Sequence, residues 1–399
     1  MKRSLLLFLF LLFASGFAFS IDFGVDFDEK IELKNNLFTS DTSLAPWSSF
    51  EIGKNVSAYL SGILTLRYIS SYGDSFNYND FIFIPELSRF CLIFGINEKM
   101  LLEAGRIEFS DVLNFTASGL FDGIRFKMEL PAGSLSISLL FTGFLYKETA
   151  SIIMTGRDAG DYNVLFDGTN YNYYCASNRM LISIRWDMPL DLPKTEAAKI
   201  SADVLMQFDL NGSDDFLNTQ YGAALLEFYP KDMLRVTGGL LFGTMQNNDN
   251  IGIALGFLAQ CKMDLPFTSA ADLFGVTAKA TFGSTDNGFN SYQPINGIPQ
   301  GFVFDETLSG LMSFSADYNI KIVESLFAEC AFRYFMSTDN VFGIGKLYGG
   351  ELWASLAWQP FDELLVYAGG GFFLPGMGNA YPKDTSVMWK VIAGITLSF

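Results

Sequence analysis

Trp389-Lys390-Val391-Ile392-Ala393-Gly394-Ile395-Thr396-Leu397-Ser398-Phe399 closes the chain. Successive side chains of a strand point to opposite faces. Trp389, Val391, Ala393, Ile395, Leu397 and Phe399 therefore share one face, and Lys390, Gly394, Thr396 and Ser398 share the other. The same period of two runs through the chain. Leu135, Ile137, Leu139 and Phe141 alternate with Ser134, Ser136 and Ser138, and Met180, Ile182, Ile184 and Trp186 alternate with Ser183, Arg185 and Asp187. Ile200 to Phe208, Leu234 to Phe242 and Ile251 to Phe257 repeat the pattern, so apolar and wet surroundings are expected on opposite sides of each strand.

Hydrophobic residues make up 50% of the 399 residues and aromatics 16%, yet beyond residue 20 no apolar run approaches the length of a spanning helix. Hydrophobicity spread over short alternating segments has one closed solution in a bilayer, the β-barrel, because every backbone polar group must be bonded internally. A net charge of −17 argues against nucleic acid as a partner. Cys91, Cys175, Cys261 and Cys330 show no metal-ligand spacing, and Cys261 and Cys330 sit on apolar strand faces, so no metal and no cofactor is expected.

With its terminal aromatic, the last strand resembles that of the outer-membrane β-barrel proteins of diderm bacteria, and the chain is similar in size and layout to the porin-like group. In that group the C-terminal strand is the signal read by the barrel-assembly machinery, which here falls on Trp389, Val391, Ala393, Ile395, Leu397 and Phe399. Met1-Lys2-Arg3, the uncharged run Leu5 to Phe13 and the small residues Ala14 to Ser20 agree, reading as a secretory leader over 1–20 cut after Ser20 or Ala18. The barrel is then expected over 21–399, in an outer membrane, with membrane lipids as surroundings.

Tight connections at Lys54-Asn55, Asn97 to Lys99, Pro131 to Gly133, Pro230-Lys231, Val323-Glu324 and Gln359 to Phe361 alternate with polar stretches near 35–46, 70–85, 147–175, 285–305 and 375–384. The expected fold is an all-β, antiparallel up-and-down barrel of about 18 strands, with 16 as the second choice, short periplasmic turns and long extracellular loops. A barrel of this size cannot fill its own lumen with side chains. No plug segment is expected ahead of the first strand, Ile21 to Phe27.

The chain has no histidine. Barrel enzymes that use a histidine base are excluded, and no enzymatic activity is expected. Arg67, Arg89, Arg106, Arg125 and Lys127 fall on successive strands and are expected to form a pore-lining basic stripe. The stretch 147–175, folded inward, would oppose them with Asp158, Asp161 and Asp167, an arrangement that resembles the eyelet of general porins. Asp74, Asp80, Asp214, Asp215, Asp249, Asp286, Asp305, Glu306 and Asp339 would ring the outer mouth and concentrate cations.

The expected function is passive diffusion of small polar solutes with a weak preference for cations. Two alternatives stay open. One is a fatty-acid-like transporter, whose lumen would be lined by Phe121, Leu140, Phe144, Leu181, Leu205, Leu258, Phe327, Phe335 and Trp353. The other is an adhesin that displays its loops. A homo-oligomer is compatible with the sequence, although nothing in it requires one.

Overall fold

The computed structural model describes residues 19–53, 55–71, 78–192, 195–212, 216–231, 233–247, 250–265, 272–283, 292–338 and 347–399. Among these, the first nine strands are β1 (Phe19–Lys34), β2 (Leu37–Ile52), β3 (Val56–Ser71), β4 (Tyr78–Asn97), β5 (Met100–Ser110), β6 (Ser118–Leu130), β7 (Gly133–Phe141), β8 (Arg179–Leu190) and β9 (Ala197–Asp209). The other nine are β10 (Asn218–Lys231), β11 (Leu234–Asn247), β12 (Asn250–Leu265), β13 (Asp272–Gly283), β14 (Leu311–Val323), β15 (Leu326–Ser337), β16 (Leu347–Phe361), β17 (Leu364–Leu374) and β18 (Met388–Ser398). Two short helices, α1 (Lys147–Ala150) and α2 (Gly156–Asn163), lie between β7 and β8. No helix among the described residues is long and apolar enough to cross a membrane.

Each strand pairs antiparallel with the next, and β1 pairs with β18, so the sheet closes into an 18-stranded up-and-down barrel. The last register is Leu33 opposite Val391, Ile31 opposite Ala393, Glu29 opposite Ile395 and Phe27 opposite Leu397. Phe399 completes the seam through its backbone: its N–H donates to the Val25 carbonyl at 3.0 Å, and its carbonyl accepts from the Val25 N–H at 3.1 Å.

The alternation sorts as the sequence implies. Leu240, Phe242, Ile251, Leu255, Leu352 and Leu356 stand exposed on the outer face, while their strand neighbours turn to the lumen. Cys261 and Cys330 are exposed on that outer face, and Cys91 is buried on the inner one.

The expected loop 35–46, and the described residues of the expected loop 70–85, are strand instead. The stretch 35–46 contributes only the turn Asn35-Asn36, with Asn35 at φ 51°, because the polar run that follows bonds across strands. Ser43 pairs with Thr65 at 2.8 Å, and Ser40 and Thr42 both donate to Glu29. Likewise β4 begins at Tyr78, and Ile82 and Ile84 alternate with Phe81 and Phe83 through what reads as a polar stretch. Residues 1–18 of the expected leader, and Asp74, Asp214, Asp215, Asp249, Asp286 and Asp339 of the expected acidic mouth, lie outside the described residues.

Candidate pore constriction

Three connections at the long-loop rim fold into the barrel and meet there: 111–117 after β5, 142–178 after β7, and 292–310 before β14. The first reaches furthest. Val112 bonds to Asp203 of β9, Leu113 seats against Gly239 of β11, where a Cβ would collide with it, and Phe115 lies over Gly256 of β12. Loop 292–310 docks on it: Tyr292 Oη donates to Thr116 Oγ1 at 2.8 Å, the Ile295 N–H donates to the Thr116 carbonyl at 2.8 Å, and the Asn296 amide brackets the backbone of Ser118. Loop 142–178 joins through Gln293 Nε2 to the Ile153 carbonyl at 3.1 Å and the Gly297 N–H to the Ser151 carbonyl at 2.8 Å.

Apolar side chains fill the junction. Phe115, Leu145, Ile152, Tyr292, Ile295 and Val303 are all at most 3% exposed, so the layer is a packed core within the lumen. Burying each large apolar side chain favours the folded-in arrangement by about 1.5–3 kcal/mol. This layer covers Phe121, Leu140, Leu181, Leu205, Phe335 and Trp353, the inward residues expected of an apolar lining, which instead pack beneath it. Phe144 lies beyond the end of β7 and is exposed, so strand parity does not govern it.

Carboxylates fasten each loop. Asp111, buried, accepts from the N–H groups of Leu113, Phe115, Thr116 and Ala117 at 2.8–3.2 Å and holds 111–117 in its turn. Burial pushes its carboxyl above the ordinary range, although these four N–H groups pull the other way. Glu351 of β16 accepts from the N–H groups of Phe302, Val303 and Phe304 at 2.8–2.9 Å. Asp158 closes a capping box with Thr155 at the start of α2 and pairs with Arg179 at 2.5 Å, while Arg179 also reaches Asp209 at 2.6 Å. Arg179, Asp158 and Asp209 are at most 1% exposed, so their charges answer one another without solvent.

Of the residues read as a basic stripe, four project inward. Arg67 bonds Asp41 of β2 in a two-toothed pair at 2.8 and 3.1 Å and also holds Glu148 of α1. Arg125 and Lys127 share Glu103, the latter at 3.1 Å. Arg89 stacks over Tyr59 at 5.5 Å. Arg106 is the exception. It sits opposite Asp122 in the ladder, out of phase with inward Ile107 and Phe121, and is buried against Asp122 and the carbonyls of Leu87 and Phe144. The bend at Gly105, whose φ of +121° suits glycine alone, takes β5 away from β4 and gives Arg106 this setting.

The loop acids are placed differently from their expected arrangement. Asp158 is consumed by Arg179. Asp161 is exposed, and its side chain lies 3.9 Å from Arg157. Asp167 is exposed and turns back on the N–H groups of Thr169 and Asn170. The acid that faces the stripe is Glu148, on Arg67. Asp111, Glu148, Asp203 and Glu351 give no local sequence signal as loop anchors, since their partners are backbone groups or residues dozens of positions away.

Beneath the tip of 111–117 a cavity of about 400 Å³ remains, lined by Asn114, Gln260, Lys279, Ser315, Asp317 and Arg333 among others. Asn114 takes a left-handed φ of 56° at that tip, and Arg333 lies over Phe302 at 3.9 Å. The loop layer is therefore apolar where it packs on the wall, while the lining of this cavity is largely polar and charged.

No protein-family model and no curated protein matches this sequence. Solved structures do match in fold. OccK5 (OpdH) of Pseudomonas aeruginosa superimposes with a TM-score of 0.59 at 9% identity, covering 95% of this chain and 98% of that one. The outer membrane protein opdK from Pseudomonas aeruginosa gives 0.58 at 10% identity over 95% and 99%. OccAB4 of Acinetobacter baumannii gives 0.56 at 12% identity over 96% and 98%.

Proposed function

We propose that the chain is an outer-membrane, porin-like channel for passive diffusion of small polar solutes. The observation that carries this reading is a barrel too wide to fill itself, narrowed by three folded-in loops above a lumen wall of charged and hydroxyl side chains. Fold likeness to the outer membrane protein opdK supports the location. Each chain that crosses in this way would lie among outer-membrane lipids and would be inserted by assembly machinery reading Trp389, Val391, Ala393, Ile395, Leu397 and Phe399.

Within that reading, Arg89, Arg125 and Lys127 line the path, joined by Arg67 where Glu148 leaves it accessible. Asp80 and Glu306, with Asp305 paired to Lys34, favour cations at the mouth. The basic residues below oppose that bias, which keeps the preference weak. Against a fatty-acid-like path along the lumen axis stands the burial of Phe121, Leu140, Leu181, Leu205, Phe335 and Trp353, six of its nine expected lining residues, although Phe144 and Phe327 are exposed. No specific observation favours the adhesin reading.

The test is single-channel recording of the refolded protein in a planar bilayer under a salt gradient. Discrete steps with a reversal potential slightly toward cations are expected. Silence from folded protein overturns the channel, and anion preference overturns the role given to the mouth.

A further inference from the structure

The barrel wall is parted on one side. β4 and β5 pair only from Cys91 opposite Gly105 down to Asn97 opposite Met100. Above this, Tyr78 to Phe90 pair with β3 alone, and Arg106 to Ser110 pair with β6 alone. Pro85 lies in the parted stretch, and its carbonyl accepts from Tyr174 Oη at 2.5 Å, on the side away from β3. A residue of an antiparallel strand points its N–H and carbonyl to the same side, so the N–H that proline lacks is one β5 would otherwise have needed.

Side chains take the place of the missing ladder. Arg106 donates to the Leu87 carbonyl of β4 and to the Phe144 carbonyl at 3.0 Å, and is itself held by Asp122 at 2.8 and 3.0 Å. Arg125 Nη1 donates to the Glu108 carbonyl of β5 at 2.8 Å, and Thr149 donates to Glu86 at 3.0 Å. Parting these strands further costs a few side-chain bonds, whereas the flanking β3–β4 and β5–β6 pairs are held by backbone ladders along the same stretch.

Both sides of the seam are apolar. Phe83, Leu87 and Phe144 stand exposed outside it. Ile82, Ile84 and Phe166, each at most 4% exposed, pack with Tyr146 directly behind it. A hydrocarbon chain passing here would find apolar surface on both sides of the seam and would have to displace only Arg106 and the Glu86–Thr149 pair between them.

We propose that the parted seam between upper β4 and β5 is a lateral port that admits the hydrocarbon chain of a single-chain amphiphile from the surrounding leaflet into the loop layer, with Arg106 as its latch. The port rests on the barrel's spanning a membrane, and is independent of whether the lumen conducts polar solutes.

The full chain, refolded into phosphatidylcholine vesicles, is irradiated with a diazirine-bearing palmitate, and the labelled residues are mapped by peptide mass spectrometry. Label on Ile82, Ile84 or Phe166 is expected. It should rise about tenfold in Arg106→Gln, the population shift given by losing charge-assisted hydrogen bonds worth together about 1.4 kcal/mol. Should Arg106→Gln fail to fold, Tyr174→Phe removes only the bond to Pro85 and is expected to raise the same label. Label confined to outer Phe83 and Leu87 in wild type and variants overturns the port. Label on neither face overturns the membrane premise, and the port with it.

Discussion

The backbone N–H of Val112 donates to the carboxylate of Asp203 at 2.9 Å, joining the tip region of a loop that leaves β5 to a strand on another part of the wall. Asp203 is buried. The bond holds 111–117 across the lumen; loop 292–310 leans on it, and loop 142–178 leans on 292–310 in turn. Narrowing of the barrel therefore depends on a wall carboxylate that belongs to none of the three loops.

Asp203→Leu should loosen this crossing. It leaves the Val112 N–H buried without an acceptor, at a cost of about 1–3 kcal/mol, whereas Asp203→Asn retains a carbonyl oxygen in its place. Larger or flickering unitary conductance is expected for Asp203→Leu and near wild-type steps for Asp203→Asn in planar bilayers. Identical steps in all three proteins would show that 111–117 does not set the pore.

Asp111 makes the same loop responsive to pH. Its carboxyl is held above the ordinary value of 3.8 chiefly by burial. The folded-in loop thus binds a proton more tightly than the released loop does, so Asp111's contribution to the folded-in state is fully present below pH 3.8 and is lost as pH rises through the raised value. Conductance is expected to grow over that interval and to lose this dependence in Asp111→Asn, which a pH series on single channels measures directly. A fall in conductance with rising pH would reverse the assignment.

What the sequence made legible follows from distance along the chain. Alternation is local, so the outer faces of β7, β8, β9, β11, β12 and β18 can be read from Leu135, Ile182, Val204, Leu240, Leu255 and Val391 without the structure. Ser40, Thr42 and Ser43 misled because hydroxyls that bond across strands look like loop residues in one dimension. Arg106 alternates with the apolar Ile107 and Phe109 and so reads as lumenal, but the unbroken ladder puts Glu103, Ile107 and Phe109 inward and Arg106 on the other phase, where the parting of β5 from β4 at Gly105 buries it. Asp158 reads as a solvent-facing loop acid because its partner, Arg179, stands 21 positions later at the head of β8. Glu351 is further still from the N–H groups it holds, and no local pattern announces a carboxylate whose partners are backbone.

Arg179→Ala should destabilise the barrel more than any loop-surface change. It leaves Asp158 and Asp209 buried without their cation, a loss of about 3–5 kcal/mol. Thr155→Ala, which removes the hydroxyl cap of α2 but leaves the ion pair, should cost about 1 kcal/mol. The temperature at which the refolded protein changes its gel migration is expected to fall steeply for Arg179→Ala and slightly for Thr155→Ala. Equal shifts would show that the buried pair contributes no more than the cap.

At the closing seam, the backbone and side chain of Phe399 separate two roles. Its N–H and carbonyl bond to Val25, while its ring is 77% exposed and packs little within the barrel. Phe399→Ala retains both backbone bonds, so refolding yield and melting in detergent should match wild type. Deleting Phe399 removes the N–H donor and shifts the terminal carboxylate to Ser398, and some loss of closure, about 1 kcal/mol, is expected. If the ring serves recognition during assembly, Phe399→Ala should lower the amount of barrel found in the outer membrane of cells while leaving the refolded protein unchanged. Wild-type amounts in cells would remove the ring from that role, and a refolding defect in Phe399→Ala would return it to the barrel's own stability.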